Sequence, residues 1–410
     1  MSDTMILVIN TGSSSIKMAL IDMPSETQLA EAMAERLGDQ KASLSLSLHG
    51  KTEQINIAGA DHEMAMQQML DALFARVDKN SIAAFGHRVV HGGEKFIAPT
   101  VLNAAVIAEI EALSRLAPLH NPANLLGIRA AIKQLPDIPH IAVFDTAFHH
   151  AMPEHASLYA VPYHWYTEYG VRRYGFHGTS HHYVAQQAAA MLGRKIDACN
   201  IITAHLGNGC SATAIKNGIS VDTTMGMTPL EGLVMGTRSG DIDPGLHDYI
   251  ARQSGNSLET ITDTLNRESG LLGISGQSND MRTLLDAAAK YDDDMHNQTY
   301  KRAALAVDMF CYRLAKSLAG LSVALGSIDA IVFTGGIGEH SSPIRAKTVA
   351  QLSLLGVSID AEKNDEHGKH SDGFINSATD SIPVLVIATN EEKMIARYVN
   401  NVLTREEHQS

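Results

Sequence analysis

The sequence predicts an α/β protein assembled from two similar halves. Three observations lead there. Its 410 residues are enough for two domains, each with a core of its own. Short apolar runs of strand length alternate with longer stretches of helical spacing. And one module occurs twice. MILVINTGSSSIKMALID, residues 5–22, is an apolar strand, a glycine and serine turn and a second strand; NIITAHLGNGCSATAIKNGISVDTT, residues 200–224, repeats it and adds a third strand behind an Asn217-Gly218 hairpin turn.

Composition narrows the function. Apolar content of 45% and charged content of 19% are those of an ordinary globular chain. The longest early apolar run, residues 5–9, is far short of a membrane span, so a cytoplasmic protein with no membrane partner is expected. With 32 Lys and Arg against 45 Asp and Glu, the net charge of -13 argues against a nucleic-acid partner. An anionic ligand must then be met by locally placed cations. Cys199, Cys210 and Cys311 form no CxxC pair and no even framework, which leaves neither disulfides nor a thiolate zinc site. His177 and His181 have the i, i+4 spacing of a metal pair, but Gly178 and Ser180 put the helix start at Ser180, and no HExxH or third ligand accompanies them. The doublets His149/His150 and His181/His182 read as helix-start and surface residues.

In chain order, the first module's turn offers backbone amides and three hydroxyls, with Lys17 in the second strand. No GxxxxGK[ST] pattern occurs, so this is a hairpin, either a plain serine-rich turn or a phosphate-binding one. Strand-type runs follow at 29–37, 44–48 and 54–57. Met66, Met69, Leu70, Leu73, Phe74 and Val77 give residues 61–77 helical spacing. Residues 82–91 form a strand ending in Gly92-Gly93, and Arg88 inside it needs a ligand anion, a carboxylate of the fold or an edge position. Helices are expected at 104–116 and 123–135, the second with Asn121 as N-cap and Pro122 first. A buried-type strand at 141–144 carries Asp145 at its carboxyl end, where ligands collect in open α/β sheets; a cap or loop aspartate is the alternative. Residues 153–173 have no clean period and read as the crossing between domains.

In the second half, YGFHGTS leads into a helix that ends at Gly193. The stretch HLGNGCSATAIKNGISVDTTMGMTPLEGLVMGTRSGDIDP, residues 205–244, is dense in glycine, and such turns let backbone amides approach an anion closely. A phosphate site is the leading reading. Helices are expected at 257–266, 279–290 and 299–325, then a strand at 328–333. TGGIGE, residues 334–339, is a strand-to-helix turn without GxGxxG spacing, so a nucleotide is plausible there and a dinucleotide fingerprint is not supported. A last strand at 382–388 precedes Thr389-x-x-Glu392, which has capping-box form, and a closing helix at 390–403 with a fraying polar tail. Glu391 in its first turn has either a dipole role or a metal role.

Taken together, these runs resemble the acetate kinase family of the sugar kinase and actin superfamily, with its duplicated ribonuclease-H-like domains. The resemblance rests on nine segments in order: NTGSSSIK, GHRVVHGGEKF, PLHNPAN, VFDTAFH, YGFHGTSHHYV, HLGNG, TPLEGLVMGTRSGDIDP, FTGGIGE and TNEE. It implies one domain at residues 1–150 with 389–410, another at 151–388, an active-site cleft between them and a homodimer. It implies ATP and ADP as substrates, Mg²⁺ with Mn²⁺ as a substitute, and acetate or another short-chain carboxylate as acceptor. By motif, Asn10 and Glu391 would lie near the metal, Arg88 and Arg238 would hold the acceptor and the phosphoryl group in flight, His177 would touch that group, and Asp145 would position the arginines or the metal. Lys17, His205, Gly207, Asn208, Gly209, Gly335, Gly336, Ile337 and Gly338 would line the nucleotide phosphates, with Asp280, Met281 and Arg282 on the adenosine side. Val90, Leu119, Phe176 and Pro229 match the pocket for the acyl methyl group. Two departures stand out: Cys210, an oxidisable thiol after HLGNG, and His340 after GGIGE where asparagine is more usual.

The residue types suit that chemistry. Acetate is ionised at neutral pH, so no general base is required; what an anionic acceptor approaching an anionic phosphate needs is positive charge. A hydroxyl-directed kinase would instead need a base and a polar pocket. One methylene is worth only about 1–3 kcal/mol, so acetate and propionate are not separated by residue types.

Overall fold

The computed structural model describes residues 4–291, 293–377 and 381–407. The chain divides into two units, one made of Met1–His150 with Asn390–Ser410 and the other of Ala151–Thr389.

The first unit is built on eight strands: β1 (Met5–Thr11), β2 (Ser15–Asp22), β3 (Thr27–Glu35), β4 (Ser43–Leu48), β5 (Lys51–Asn56), β6 (Ile82–Val89), β7 (Thr100–Val101) and β8 (His140–Phe144). Their order is β5-β4-β3-β2-β1-β6-β8-β7. β1 to β5 are successive antiparallel hairpins, whereas β6 joins β1, and β8 joins β6, in parallel. Parallel neighbours require crossovers, and helices His62–Phe74 and Asn121–Gln134 provide them. The methionine stripe of the first, Met66, Met69 and Leu70, is core, packed with Leu7, Ile9 and Ile16. The C-terminal helix, Glu391–Glu407, buries Ile395, Ala396 and Val399 against Ile6, Val8, Ala84 and Val143 of the sheet.

The second unit repeats this plan. β9 (Asn200–Leu206), β10 (Cys210–Lys216), β11 (Ile219–Thr223), β12 (Ala330–Thr334) and β13 (Val384–Val386) lie in the order β11-β10-β9-β12-β13. Again three antiparallel strands are followed by two parallel ones. That matches β3-β2-β1-β6-β8, so the duplication expected from the repeated hairpin extends to the whole five-stranded core. β8 and β12 are buried along their whole length, as strands covered on both faces are.

Several boundaries differ from expectation for identifiable reasons. The helix expected from Ser180 begins at Gly178, because His177 adopts a left-handed conformation (φ 55°) that turns the chain into it early. Asn121 is not a cap; it lies inside its helix, and its side chain pairs with the His91 backbone, accepting from N at 3.1 Å and donating to O at 3.0 Å. The capping box at Thr389 does not form: the Thr389 hydroxyl meets Ser180 at 2.7 Å, and Asn390 accepts from Lys393 N instead. Helix 104–116 ends at Ala112 and tightens into a 3₁₀ turn. The closing helix runs on to Glu407, and the end of the expected frayed tail, 408–410, lies outside the described residues, as do residues 1–3. His149 and His181 are fully buried rather than at the surface. No helix among the described residues is long and apolar enough to cross a membrane.

Gly127 lets helix Asn121–Gln134 sit directly on the end of β1: a Cβ there would overlap Thr11 Oγ1 and lie 2.8 Å from Thr11 Cβ. Gly127→Ala is therefore expected to lower unfolding stability by about 1–3 kcal/mol through overpacking. Denaturant melts should show a lower midpoint at unchanged slope, and Thr11→Ala in the same chain should recover part of the loss.

Candidate active site

Asn10, Arg88, Asp145, His205 and the Gly335 turn lie at or just beyond the carboxyl ends of strands, whereas Lys17 lies within antiparallel β2 and Leu119, Pro229, Arg238 and Asp280 lie in connecting segments or at a helix start. In the first unit Arg88 is the penultimate residue of β6, and the register pairs it with Val143, two residues before Asp145. Asp145 N donates to Val89 O at 3.0 Å, closing the two strand ends together. Arg88 then donates from Nε to both Asp145 oxygens (3.0 and 3.1 Å) and from Nη2 to Oδ2 at 2.7 Å. Burial pushes the Asp145 carboxyl up, and the guanidinium opposes that push; Asp145 and Glu391 in turn hold Arg88 firmly charged against its own burial. Of the readings open for Arg88, a carboxylate of the fold is the one found. Its charge is over-answered, because Glu391 Oε2 also lies 3.6 Å from Nε.

Glu391 and Glu392 occupy the first turn of the C-terminal helix, where the dipole favours carboxylates. Lys17 is tied to Glu392 at 2.8 Å and to Glu31 at 3.2 Å, so its charge is answered within the unit. Asn10 sits one residue before the end of β1, opposite Lys17 in the register. Asn124, in the helix with Asn121, accepts from Val90 N at 3.0 Å and donates to Thr11 O at 2.7 Å. The bracing of the β6 end to β1 by the buried Asn124 amide, with Asn121 holding the His91 backbone beside it, was not foreseen from PLHNPAN; only their burial on a helix face could have signalled it. Leu119 is 45% exposed and Val90 partly buried.

In the second unit His177, His205, Gly209 and Arg238 converge. His177 and His205 stack at 4.4 Å between centroids. A Cβ on Gly209 would lie 3.4 Å from Arg238 Nη1 and 3.6 Å from His177 Nε2, so the glycine, the guanidinium and the imidazole are close neighbours. Arg238 donates to the Pro229 carbonyl at 3.2 Å, and no carboxylate among the described residues pairs with it. Burial pulls its pKa down without discharging it. Asn208 O accepts from Gly236 N at 3.0 Å, and Asn279 Nδ2 donates to Asn208 Oδ1 at 3.0 Å, joining HLGNG, VMGTR and SGQSND. Gly207 N donates to Gly209 O at 3.0 Å within the hairpin turn. Arg173 bonds Glu231 at 2.7 Å, and Tyr159 donates to the same carboxylate, bracing the loop that carries Pro229 and Arg238. Phe176 is buried beside His177.

The other nucleotide candidates divide. Gly335 N is already used, donating to Glu339 Oε1 at 2.9 Å, and the same oxygen accepts from Thr389 N at 3.2 Å. Gly336 faces open space, Ile337 is partly buried and Gly338 buried. The far end of this short helix is held by Arg345, buried completely, which donates to the carbonyls of Gly338 (2.8 Å) and Glu339 (3.0 Å), to Asn364 and to His367 Nδ1. Nothing in the sequence marked Glu339 or Arg345 as supports of the turn. Asp280 caps helix Met281–Ala288, and its carboxyl is drawn down to about 2 by the hydrogen bond from Arg282, whose side chain is 90% exposed. Met281 is buried in the core, so only its backbone is available to a ligand. His340 is exposed. His177 and His181 share a hydroxyl: Ser211 Oγ lies 2.8 Å from His177 Nδ1 and 2.7 Å from His181 Nε2.

Comparison with known proteins places these features in a family. The Acetokinase family profile matches residues 5–397. A protein of Deinococcus deserti named acetate kinase is 52% identical over 398 residues, 97% of this chain and 97% of its own. Among solved structures, a propionate kinase from Francisella tularensis superposes with a TM-score of 0.90 at 43% identity, over 96% of this chain and 98% of the other. The acetate kinase of Porphyromonas gingivalis gives 0.88 at 41% identity, over 98% and 100%.

Cys210 does not present the reactive thiol its position suggested. It is fully buried, burial pushes its thiol up to about 12, and Sγ donates to Gly207 O at 3.2 Å. Cys311 is pushed up to about 11 and Cys199 is also buried. A thiol this far above neutrality carries almost no thiolate. Native protein at pH 8 should therefore show no fast-reacting thiols with a disulfide reagent, and three after unfolding.

Proposed function

The chain belongs to the Acetokinase family, and from that premise we propose that it moves the γ-phosphoryl group of ATP to acetate, giving acetyl phosphate and ADP, in either direction. The observation within the site that carries the reading is Arg238: a partly buried guanidinium with no carboxylate partner among the described residues, beside His177 and Gly209. An uncompensated cation of this kind is costly unless an anion completes it. Arg88, by contrast, is fixed by Asp145, which leaves its Nη1 to meet the acceptor carboxylate.

Transfer to a carboxylate needs no proton removed, so Asp145 orients Arg88 rather than acting as a base. The charge that gathers on the phosphoryl oxygens in the transition state is met by N–H groups of Arg238 and His177, already positioned in the resting protein. Gly207, Asn208 and Gly209 hold the hairpin turn beneath the nucleotide phosphates, and Gly336 offers the open approach in the second glycine turn. Lys17 enters as a support of the C-terminal helix through Glu392. Val90, Leu119, Phe176 and Pro229 supply the apolar contacts for the acyl group.

Asn10 and Glu391 offer the oxygen donors that Mg²⁺ prefers, and Asp145 and Glu391 give their surroundings a surplus of negative charge over Arg88. No group of three or more acidic, histidine or cysteine side chains among the described residues could cage a metal, which fits an ion that keeps its waters and reaches the protein through few ligands and the substrate. Bound there, Mg²⁺ would spread the charge of the phosphate oxygens. A cytoplasmic homodimer is the setting we infer from the family.

Trapping acyl phosphate as a hydroxamate tests the reaction directly; ATP binding without hydroxamate from any short-chain acid would defeat it. Arg238→Ala should lose about two to three decades in kcat, with no recovery in Arg238→Lys. Asp145→Asn should lower kcat while leaving the acidic limb of the pH profile in place; loss of that limb would make Asp145 a base. The propionate kinase relative makes the acyl series informative: kcat/KM for acetate should exceed that for propionate, by a factor set by the roughly 1–3 kcal/mol that one methylene is worth.

A further inference from the structure

The glycine turn at residues 335–338 is held by a buried charge that the reaction as described does not use. Arg345, in helix Ser342–Ala350, is completely buried. A guanidinium has five N–H groups, and here all five are taken. Nε donates to Asn364 Oδ1 at 2.8 Å; Nη1 donates to the carbonyls of Gly338 at 2.8 Å and Glu339 at 3.0 Å; Nη2 donates to Asn364 O at 2.7 Å and to His367 Nδ1 at 2.8 Å. None of these acceptors is a carboxylate. Burial draws the guanidinium down to about 10, so it keeps its proton at neutral pH.

A buried cation with no carboxylate bonded to it is costly, and the geometry shows what it does. Helix Gly335–His340 has six residues, too few to hold its shape alone, and its last carbonyls have no partners within it. Arg345 supplies donors to two of them, at the helix end where a cation is favoured. Glu339 carries the constraint to the other end: its carbonyl is fixed by Arg345, while its carboxylate accepts from Gly335 N at 2.9 Å and from Thr389 N at 3.2 Å. The turn is clamped at both ends. Gly336, where a Cβ would meet nothing within 4 Å, lies between them.

His367 completes the clamp. Arginine only donates, so His367 Nδ1 must present its lone pair, and the ring is neutral with its proton on Nε2. A proton added to Nδ1 would set N–H against N–H. The charged or titratable groups about this ring are Arg345, His340 at the end of the glycine-turn helix with its ring edge-on at 6.3 Å, and Asp365 of helix Ala361–Asp365; Glu366 and Lys369 on its own turn are exposed. Burial, Arg345 and His340 hold the ring below its ordinary value of 6.5 against the pull of Asp365, so the neutral form prevails at neutral pH.

We propose that Arg345 and His367 are positioning residues for the nucleotide: they set the Gly335–Gly338 turn through Glu339, and protonation of His367 loosens that hold. The inference rests on the reading that this turn lines the nucleotide phosphates.

His367→Asn puts Oδ1 in the place of Nδ1, suits the left-handed backbone there (φ 56°) and cannot titrate. Its KM for ATP should match the parent's above neutrality, and the parent's should rise relative to it as pH falls below 6.5. His367→Ala removes the acceptor and should raise KM for ATP roughly three- to tenfold at every pH, with kcat and KM for acetate changed by less than about twofold. Arg345→Lys, with too few donors for five bonds, should raise KM for ATP further, and the His367 variants serve if it does not fold. An Asn variant that behaves like the Ala variant, a parent that tracks His367→Asn at every pH, or equal losses for ATP and acetate each overturn the clamp. Gly336→Leu tests the reading beneath it, because its side chain enters space the fold leaves open and should raise KM for ATP. An unchanged KM there overturns the nucleotide assignment of the turn; a raised KM there beside an unaffected His367→Ala overturns the clamp alone.

Discussion

The constraint behind this structure is that two anions must be brought into bonding distance, so positive charge has to be held where nothing in the fold neutralises it. The units handle their arginines in opposite ways. Arg88 is surrounded by Asp145 and Glu391 and is rigid because of it. Arg238 is anchored through uncharged acceptors, Pro229 O and the Met235 sulfur, which fix position without cancelling charge. On the role proposed for Arg238, a bidentate carboxylate there would stabilise the resting protein and remove the attraction for the phosphoryl group.

Duplication explains where these groups stand. Because the same five-stranded plan occurs twice, equivalent strand ends deliver different chemistry at the same edge. β1 ends in Asn10 and Thr11, and β9 in His205 and Leu206; β6 ends near Arg88, and β12 in the glycine turn at Gly335; β8 leads into Asp145, and β13 toward Thr389. Ligand sites gather at that edge in open α/β sheets because backbone groups there are left unpaired by the sheet and side chains diverge from it. Supports are then drawn from helices packed behind: Asn121 and Asn124 in one unit, Arg345 and Glu339 in the other.

Much of this was legible in the sequence, and what was not has a physical pattern. The hairpin modules, the buried strands, the long amphipathic helix at Gln298–Leu325 and the clustering of Gly209 with His177 and Arg238 all followed from periodicity, glycine content and motif resemblance. The misses were polar residues inside the fold. Asn121 looked like a cap because amide side chains usually serve helix starts, and His181 looked like a surface residue because imidazole usually wants water; both found their partners only across strands distant in sequence. For a polar side chain, local pattern says what it can bond, and only tertiary packing says to what.

The left-handed backbone of His177 has a bearing on how such a protein could change over time. A histidine held at φ 55° carries a conformational cost of about 1–2 kcal/mol that glycine escapes and asparagine feels less. Replacement by either would ease the turn into helix Gly178–Met191 while deleting the imidazole. On the role proposed for His177, drift toward a more comfortable fold and loss of phosphoryl transfer run in the same direction. A relative with Gly or Asn there would be expected to keep the architecture, the duplicated sheets and the arginines, and to have exchanged turnover for binding.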